Sequence, residues 1–137
     1  MTAAGLSDQD YRCLADFRHE LRSFLAFSEA RARAVGLNPQ QHQLLLVVRA
    51  SAPDEPSIGV LAERLVLRHH SVVELVDRLE GTGFIVRVRS EKDRRQVRVQ
   101  LTPAGERVLL ELSVDHRDEL RRAGPRLVRA LSRLLEE

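Results

Sequence analysis

The chain has 137 residues, the size of a single domain, and no shift in composition divides it. Its 22 basic and 20 acidic side chains leave a formal charge of only +2, too little for diffuse attraction to polyanions, and no run of about 18 apolar residues exists to span a bilayer. One cysteine excludes an internal disulfide, and the N-terminus, MTAAGLSDQDYR, lacks the basic start and apolar stretch of a secretory signal, so we expect a cytoplasmic protein.

In chain order, Leu14, Phe17, Leu21, Phe24, Leu25 and Ala32 recur near the helical period, with Ser7 or Asp8 as a cap and Gly36 as a stop. They predict a long amphipathic helix from about Asp8 to Val35. Asn38-Pro39-Gln40-Gln41 then supplies a capping side chain, a proline in the first turn and a glutamine at the third position, opening a second helix through the apolar run Leu44 to Val48. Pro53 and Pro56 force an extended turn.

Ser57 caps a short third helix, Ile58 to about Leu65, with Ile58, Leu61, Ala62 and Leu65 inward. After the tight connection Val66-Leu67-Arg68, a fourth helix runs from about His69 to Gly81. Its core face is Val72, Leu75, Val76 and Leu79, and its other face is His70, Val73, Glu74, Asp77 and Arg78. From residue 84 the period changes to two. Ile85, Arg87 and Arg89 alternate with Val86 and Val88, and Val97, Val99 and Leu101 alternate with Arg98 and Gln100, which is the pattern of a two-stranded ribbon. Thr102-Pro103 repeats the cap-plus-proline start and opens a helix to about Arg122. Gly124-Pro125 predicts a break, and a final helix carries Leu127, Val128, Leu131, Leu134 and Leu135.

The ribbon tip, Ser90-Glu91-Lys92-Asp93-Arg94-Arg95-Gln96, has no apolar side chain to bury. Residues 84–101 hold six cations against two anions, a local charge of +4, while the remainder of the chain is −2. A basic finger on a slightly acidic body is suited to local contact with a polyanion such as DNA. Helix-turn-helix followed by a hairpin is the winged-helix arrangement. Its second helix fits the major groove, about 12 Å wide, and its ribbon tip reaches the neighbouring minor groove or backbone. The apolar stripes of the terminal helices exceed what one small core needs, so we read the surplus as a subunit interface. No phosphate-cradling glycine loop, nucleophile elbow or metal-ligand spacing argues for an enzyme, a metal or a cofactor. His69 and His70 are adjacent on a helix and point about 100° apart, which suits a DNA-facing surface better than a shared metal ion.

Leu61-Ala62-Glu63-Arg64-Leu65, Val76-Asp77-Arg78-Leu79-Glu80, Asp93-Arg94-Arg95 and Leu101-Thr102-Pro103-Ala104-Gly105, with Gly36 to Gln41 before them, resemble the MarR family of bacterial transcriptional regulators over about residues 8–135. The resemblance implies a mainly α winged helix-turn-helix fold with a small antiparallel β-wing. It implies one MarR-type domain over 1–137, with dimerisation helices at about 8–36 and 103–137 and a DNA-binding lobe at about 38–101. It further implies a homodimer on a pseudo-palindromic operator, usually a repressor, released by a small-molecule effector or by oxidation of a cysteine.

Carried over by position, the recognition face is Arg68, His69, His70, Ser71, Val73 and Glu74, with Arg78 toward the backbone. In the wing, Asp93 resembles the aspartate that orients an arginine and Arg95 the arginine that enters the minor groove, with Arg94, Lys92 and Arg89 adding phosphate contacts. The chain departs from the family where Val66 and Arg68 replace small or cap-forming residues, and where Glu74 is acidic. Glu74 either accepts a hydrogen bond from a cytosine amino group or pairs with Arg78 four residues on. Cys13 stands close to where hydroperoxide-sensing relatives keep a reactive thiol, which leaves a redox-sensing repressor as an alternative, although only Tyr11 is near it in sequence. His42 is read as a polar residue near an effector cavity or as a satisfied core histidine; with His116 it occupies regions from which zinc-sensing relatives draw ligands. A winged-helix interaction module without DNA readout is the remaining alternative.

Overall fold

A computed structural model of the protein describes residues 5–90, 92–93 and 95–136. Its elements are α1 (Asp8–Ala34), α2 (Pro39–Ala50), α3 (Ile58–Leu65), α4 (His69–Gly81), β1 (Ile85–Arg89), β2 (Val97–Leu101) and α5 (Pro103–Leu135). They fall into two compact units, residues 32–113 and, separately, residues up to 31 with those from 114 onward. No helix among the described residues is long and apolar enough to cross a membrane.

The unit spanning 32–113 holds the winged helix. Leu44 and Leu45 of α2, Leu61 of α3, Val72, Val76 and Leu79 of α4, Ile85 and Val99 of the hairpin and Leu112 of α5 are all fully buried. Each such side chain contributes about 1.5–3 kcal/mol by leaving water. Helix starts follow local chemistry. Asn38 Oδ1 accepts from the Gln41 N–H at 2.8 Å while Gln41 Oε1 accepts from the Asn38 N–H at 2.9 Å, closing a capping box on α2. Ser57 Oγ accepts from the Val60 N–H at 3.2 Å to cap α3.

Three helices end in the same device, a residue of positive φ followed by an N–H that reaches back five residues. Leu37 N–H bonds the Ala32 carbonyl after Gly36, Leu67 N–H that of Ala62 after Val66, and Phe84 N–H that of Leu79 after Gly83. Glycine takes the left-handed backbone freely, but Val66 adopts it at φ 55 with a branched side chain, which costs on the order of 1–2 kcal/mol. Val66 is 88% exposed, so little packing offsets that strain. Val66→Gly is therefore expected to raise stability by about 0.5–1 kcal/mol despite glycine's larger unfolded-state entropy, as read from the midpoint of urea unfolding. An unchanged or lower midpoint would show that the turn is unstrained.

The hairpin is antiparallel in the register Ile85↔Leu101, Arg87↔Val99 and Arg89↔Val97. A bridge between Ser57 and Arg98, and a bond from the Val99 N–H to the Pro56 carbonyl at 3.0 Å, fasten β2 to the segment before α3.

In the other unit, α1 begins with Ser7, whose Oγ accepts from the Asp10 N–H at 3.1 Å. His116 Nε2 lies 2.7 Å from Ser28 Oγ, and its ring meets those of Phe24 and Phe27 edge-on. Arg126 pairs with Glu20 at 3.5 Å. The expected break at Gly124-Pro125 does not occur, because α5 runs on through Pro125 to Leu135. Gly124 has no Cβ to clash with the proline ring, which removes part of the restriction on a pre-proline residue. Pro125 still forgoes one backbone hydrogen bond, and the helix beyond it buries Ala130, five residues further on.

Candidate nucleic-acid interface

Burial of Val72, Leu75, Val76 and Leu79 turns the opposite side of α4 outward. Arg68, His69, His70, Glu74 and Arg78 are exposed there, and Ser71 and Val73 are half-buried. Arg68 holds an extended backbone before the helix and gives it no side-chain cap, so the first amides of α4 stay available to an anion at the positive end of the helix dipole. Among the described residues Glu74 and Arg78 form no ion pair, contrary to one of the two readings of Glu74. An exposed pair at this spacing is worth only about 0.2–0.5 kcal/mol.

The described residues of the wing tip are tied to one another by polar side chains. Ser90 Oγ accepts from the N–H groups of Lys92 and Asp93 at 3.3 and 3.4 Å. Asp93 Oδ1 accepts from the Arg95 N–H at 3.0 Å, and the Asp93 carbonyl accepts from the Gln96 N–H at 3.0 Å. Asp93 thus fixes the backbone at Arg95, a turn-forming use of an aspartate. Lys92, Asp93, Arg95 and Arg89 are exposed; Arg94 and Glu91 lie outside the described residues.

A groove of about 500 Å³ joins the two elements. Ser57, Ile58 and Gly59 at the start of α3 line it, with His69 and Val73 on α4 and Arg87, Arg95, Gln96 and Val97 on the hairpin. The arginine expected at the minor groove and the histidine expected at the major groove therefore share one surface. Cys13 and His42 are both buried, and Cys13 Sγ lies 3.6 Å from Gln9 Nε2 while Tyr11 faces solvent. Among the described residues no three His, Cys, Asp or Glu side chains gather to hold a metal ion.

Among the described wing cations, Arg87 and Arg98 serve the fold, which sequence reasoning did not foresee. Arg87 binds Asp77 and Glu80 of α4, the latter at 2.6 Å, and these partners, Asp77 foremost, raise its pKa above the usual arginine value. Arg98 donates to the Glu55 carbonyl at 2.7 Å and to Gln96 Oε1 at 3.1 Å. The signal for Arg87 was present. It is in phase with the inward-facing Ile85, and Asp77 and Glu80, three apart, share one side of α4.

Residues 35–96 match the family model described as MarR family. The uncharacterized HTH-type transcriptional regulator YkoM of Bacillus subtilis (strain 168) is 30% identical over 115 residues, 82% of this chain and 73% of that protein. AbsC, a MarR family transcriptional regulator from Streptomyces coelicolor, has a similar structure, with a TM-score of 0.75 at 20% identity, covering 88% of this chain and 82% of its own. An F27L mutant of S. aureus MepR bound to an oligodeoxyribonucleotide superposes with a TM-score of 0.69 at 19% identity, covering 87% and 92%.

Proposed function

The chain belongs to the MarR family of DNA-binding transcriptional regulators, and we propose that it acts as a homodimeric repressor, gripping a pseudo-palindromic operator and letting go when a small molecule binds. The observation that carries the DNA-binding mode is the common groove of His69 and Arg95. The first two turns of α4 read base edges in the major groove through His69, His70 and Glu74. Arg95 enters the adjacent minor groove, and Arg68, Arg78, Arg89, Lys92 and Arg94 meet phosphates. That the structurally similar F27L mutant of MepR is bound to an oligodeoxyribonucleotide supports this docking.

The homodimer is supported by apolar side chains left exposed in the unit of residues up to 31 and from 114 onward. Leu14, Leu21, Leu25, Leu120, Val128 and Leu131 are each more than a third exposed, a surface that a second copy would cover. Two-fold symmetry then sets two recognition helices about 34 Å apart, one turn of DNA. Release by an effector, with His42 near its cavity, follows the family resemblance. Cys13 is buried beside Gln9, and susceptibility to oxidation follows exposure, so the redox alternative finds no support in its burial.

The test is a titration against labelled DNA from the region upstream of the protein's own gene, at 50 and 200 mM salt, with a random duplex alongside. Operator affinity is expected to fall by about 10³-fold or more between the two salts if six or more phosphates are contacted. Weak, equal binding to both duplexes would favour an interaction module without DNA readout. His70→Ala is expected to lower operator affinity by about 1–3 kcal/mol while leaving random-duplex binding unchanged. Equal losses on both duplexes would remove His70 from the base-reading set.

A further inference from the structure

Arg87 lines the groove shared by His69 and Arg95, yet its donors are taken up by carboxylates of α4. Its guanidinium binds the carboxylates of Asp77 and Glu80, and its backbone N–H donates to Glu80 Oε2 at 3.1 Å. Side chain and main chain of the same residue therefore fasten β1 to α4. On the other strand, Arg98 and Val99 hold the hairpin to residues 55–57. The hairpin is anchored at its root on both sides, and beyond it Ser90 and Asp93 hold the backbone at Lys92 and Arg95. What remains to set the tip's direction relative to the recognition helix is the geometry of these anchors.

We infer that Arg87 is a positioning residue that aims the wing: by clamping β1 to Asp77 and Glu80 it fixes the span between the first turn of α4 and Arg95, and so the match to adjacent grooves of DNA. Two carboxylates against one guanidinium leave a local charge of −1, a poor phosphate site. The pairs are partly exposed, Arg87 at 28% and Asp77 at 60%, and surface ion pairs contribute little to folding. Arginine is suited to the clamp because its planar fork spans two carboxylates at once, whereas a lysine ammonium meets them as a point charge. The inference rests on the proposed entry of Arg95 into the minor groove.

The test is a double-mutant cycle on operator affinity, with Arg87→Met, Arg95→Ala and both together in the full-length protein, and thermal unfolding of each. Arg87→Met is expected to weaken binding about tenfold alone but less than about twofold when Arg95 is already alanine, because the clamp acts through the wing. Its Tm should stay within about 3 °C of the wild type. Arg87→Lys should behave like Arg87→Met. Additive losses, or full binding by Arg87→Lys, would make Arg87 a direct phosphate contact and overturn the inference. A large fall in Tm with equal losses in both backgrounds would overturn it in favour of a purely structural role. Wild-type affinity in Arg95→Ala alone would instead refute the reading of the wing beneath it.

Discussion

Gly105→Ala is expected to lower folding stability by about 1–3 kcal/mol and Tm by roughly 5–15 °C, although alanine is intrinsically the better helix former. Gly105 lies in the first turn of α5, where the chain passes directly over Phe84. A Cβ on Gly105 would stand 2.1 Å from the Phe84 carbonyl oxygen and 3.0 Å from its carbonyl carbon. Both are backbone atoms, so no rotamer change relieves the overlap. To make room, α5 must lift from the root of the wing. That strains the bond from the Thr102 N–H to the Phe84 carbonyl at 3.0 Å and the bond from Thr102 Oγ1 to the Gly83 carbonyl at 2.5 Å. The cap that Thr102 gives the Gly105 N–H at 3.1 Å is displaced with them. Gly81→Ala, at a helix end with open space around it, is the control and should be neutral or slightly stabilising. Thermal unfolding followed by circular dichroism decides the matter, and a Gly105→Ala protein as stable as the wild type would mean that the contact with Phe84 relaxes freely.

Most element boundaries were legible because each is written in a few neighbouring residues. Asn38 with Gln41, Ser57, and Thr102 before Pro103 are caps whose hydrogen bonds close within three residues, and the ribbon announces itself by a change of period. The α5 continuation was not legible, since glycine and proline each weaken a helix alone and only their order, with no Cβ before the ring, lets the turn survive. The site divides the same way. The exposure of His70 and of the tip followed from the apolar stripe and the tip's composition, whereas His69 and Arg95 were singled out by the family resemblance. Counting six wing cations as one basic patch overlooked the partners of Arg87 and Arg98, which come from α4 and from Glu55 and depend on how the elements pack. Thr102 to Gly105 could be recognised as a pattern, but the need for glycine there arises from its approach to Phe84.

Arg95→Ala is expected to lower operator affinity by about a hundredfold or more while leaving Tm and subunit association unchanged. A charge-assisted hydrogen bond to DNA contributes about 1.5–3 kcal/mol, and in the proposed symmetric dimer each wing loses one. The side chain is exposed and only its backbone is held, by the bond from its N–H to Asp93 Oδ1, so its removal should leave the turn intact. Asp93→Ala tests the converse case. It keeps the arginine but frees the loop, and should produce a smaller loss that grows with temperature as the tip samples more conformations. If Arg95 neutralises a phosphate on its way into the groove, the slope of log affinity against log salt should shrink by about one per wing, two per dimer. A lower affinity at unchanged slope would place the arginine among the base edges of the minor groove, where it reads shape and acceptors without displacing a counterion. An affinity equal to the wild type's would remove the wing from the interface and leave α4 as the sole reader of the operator.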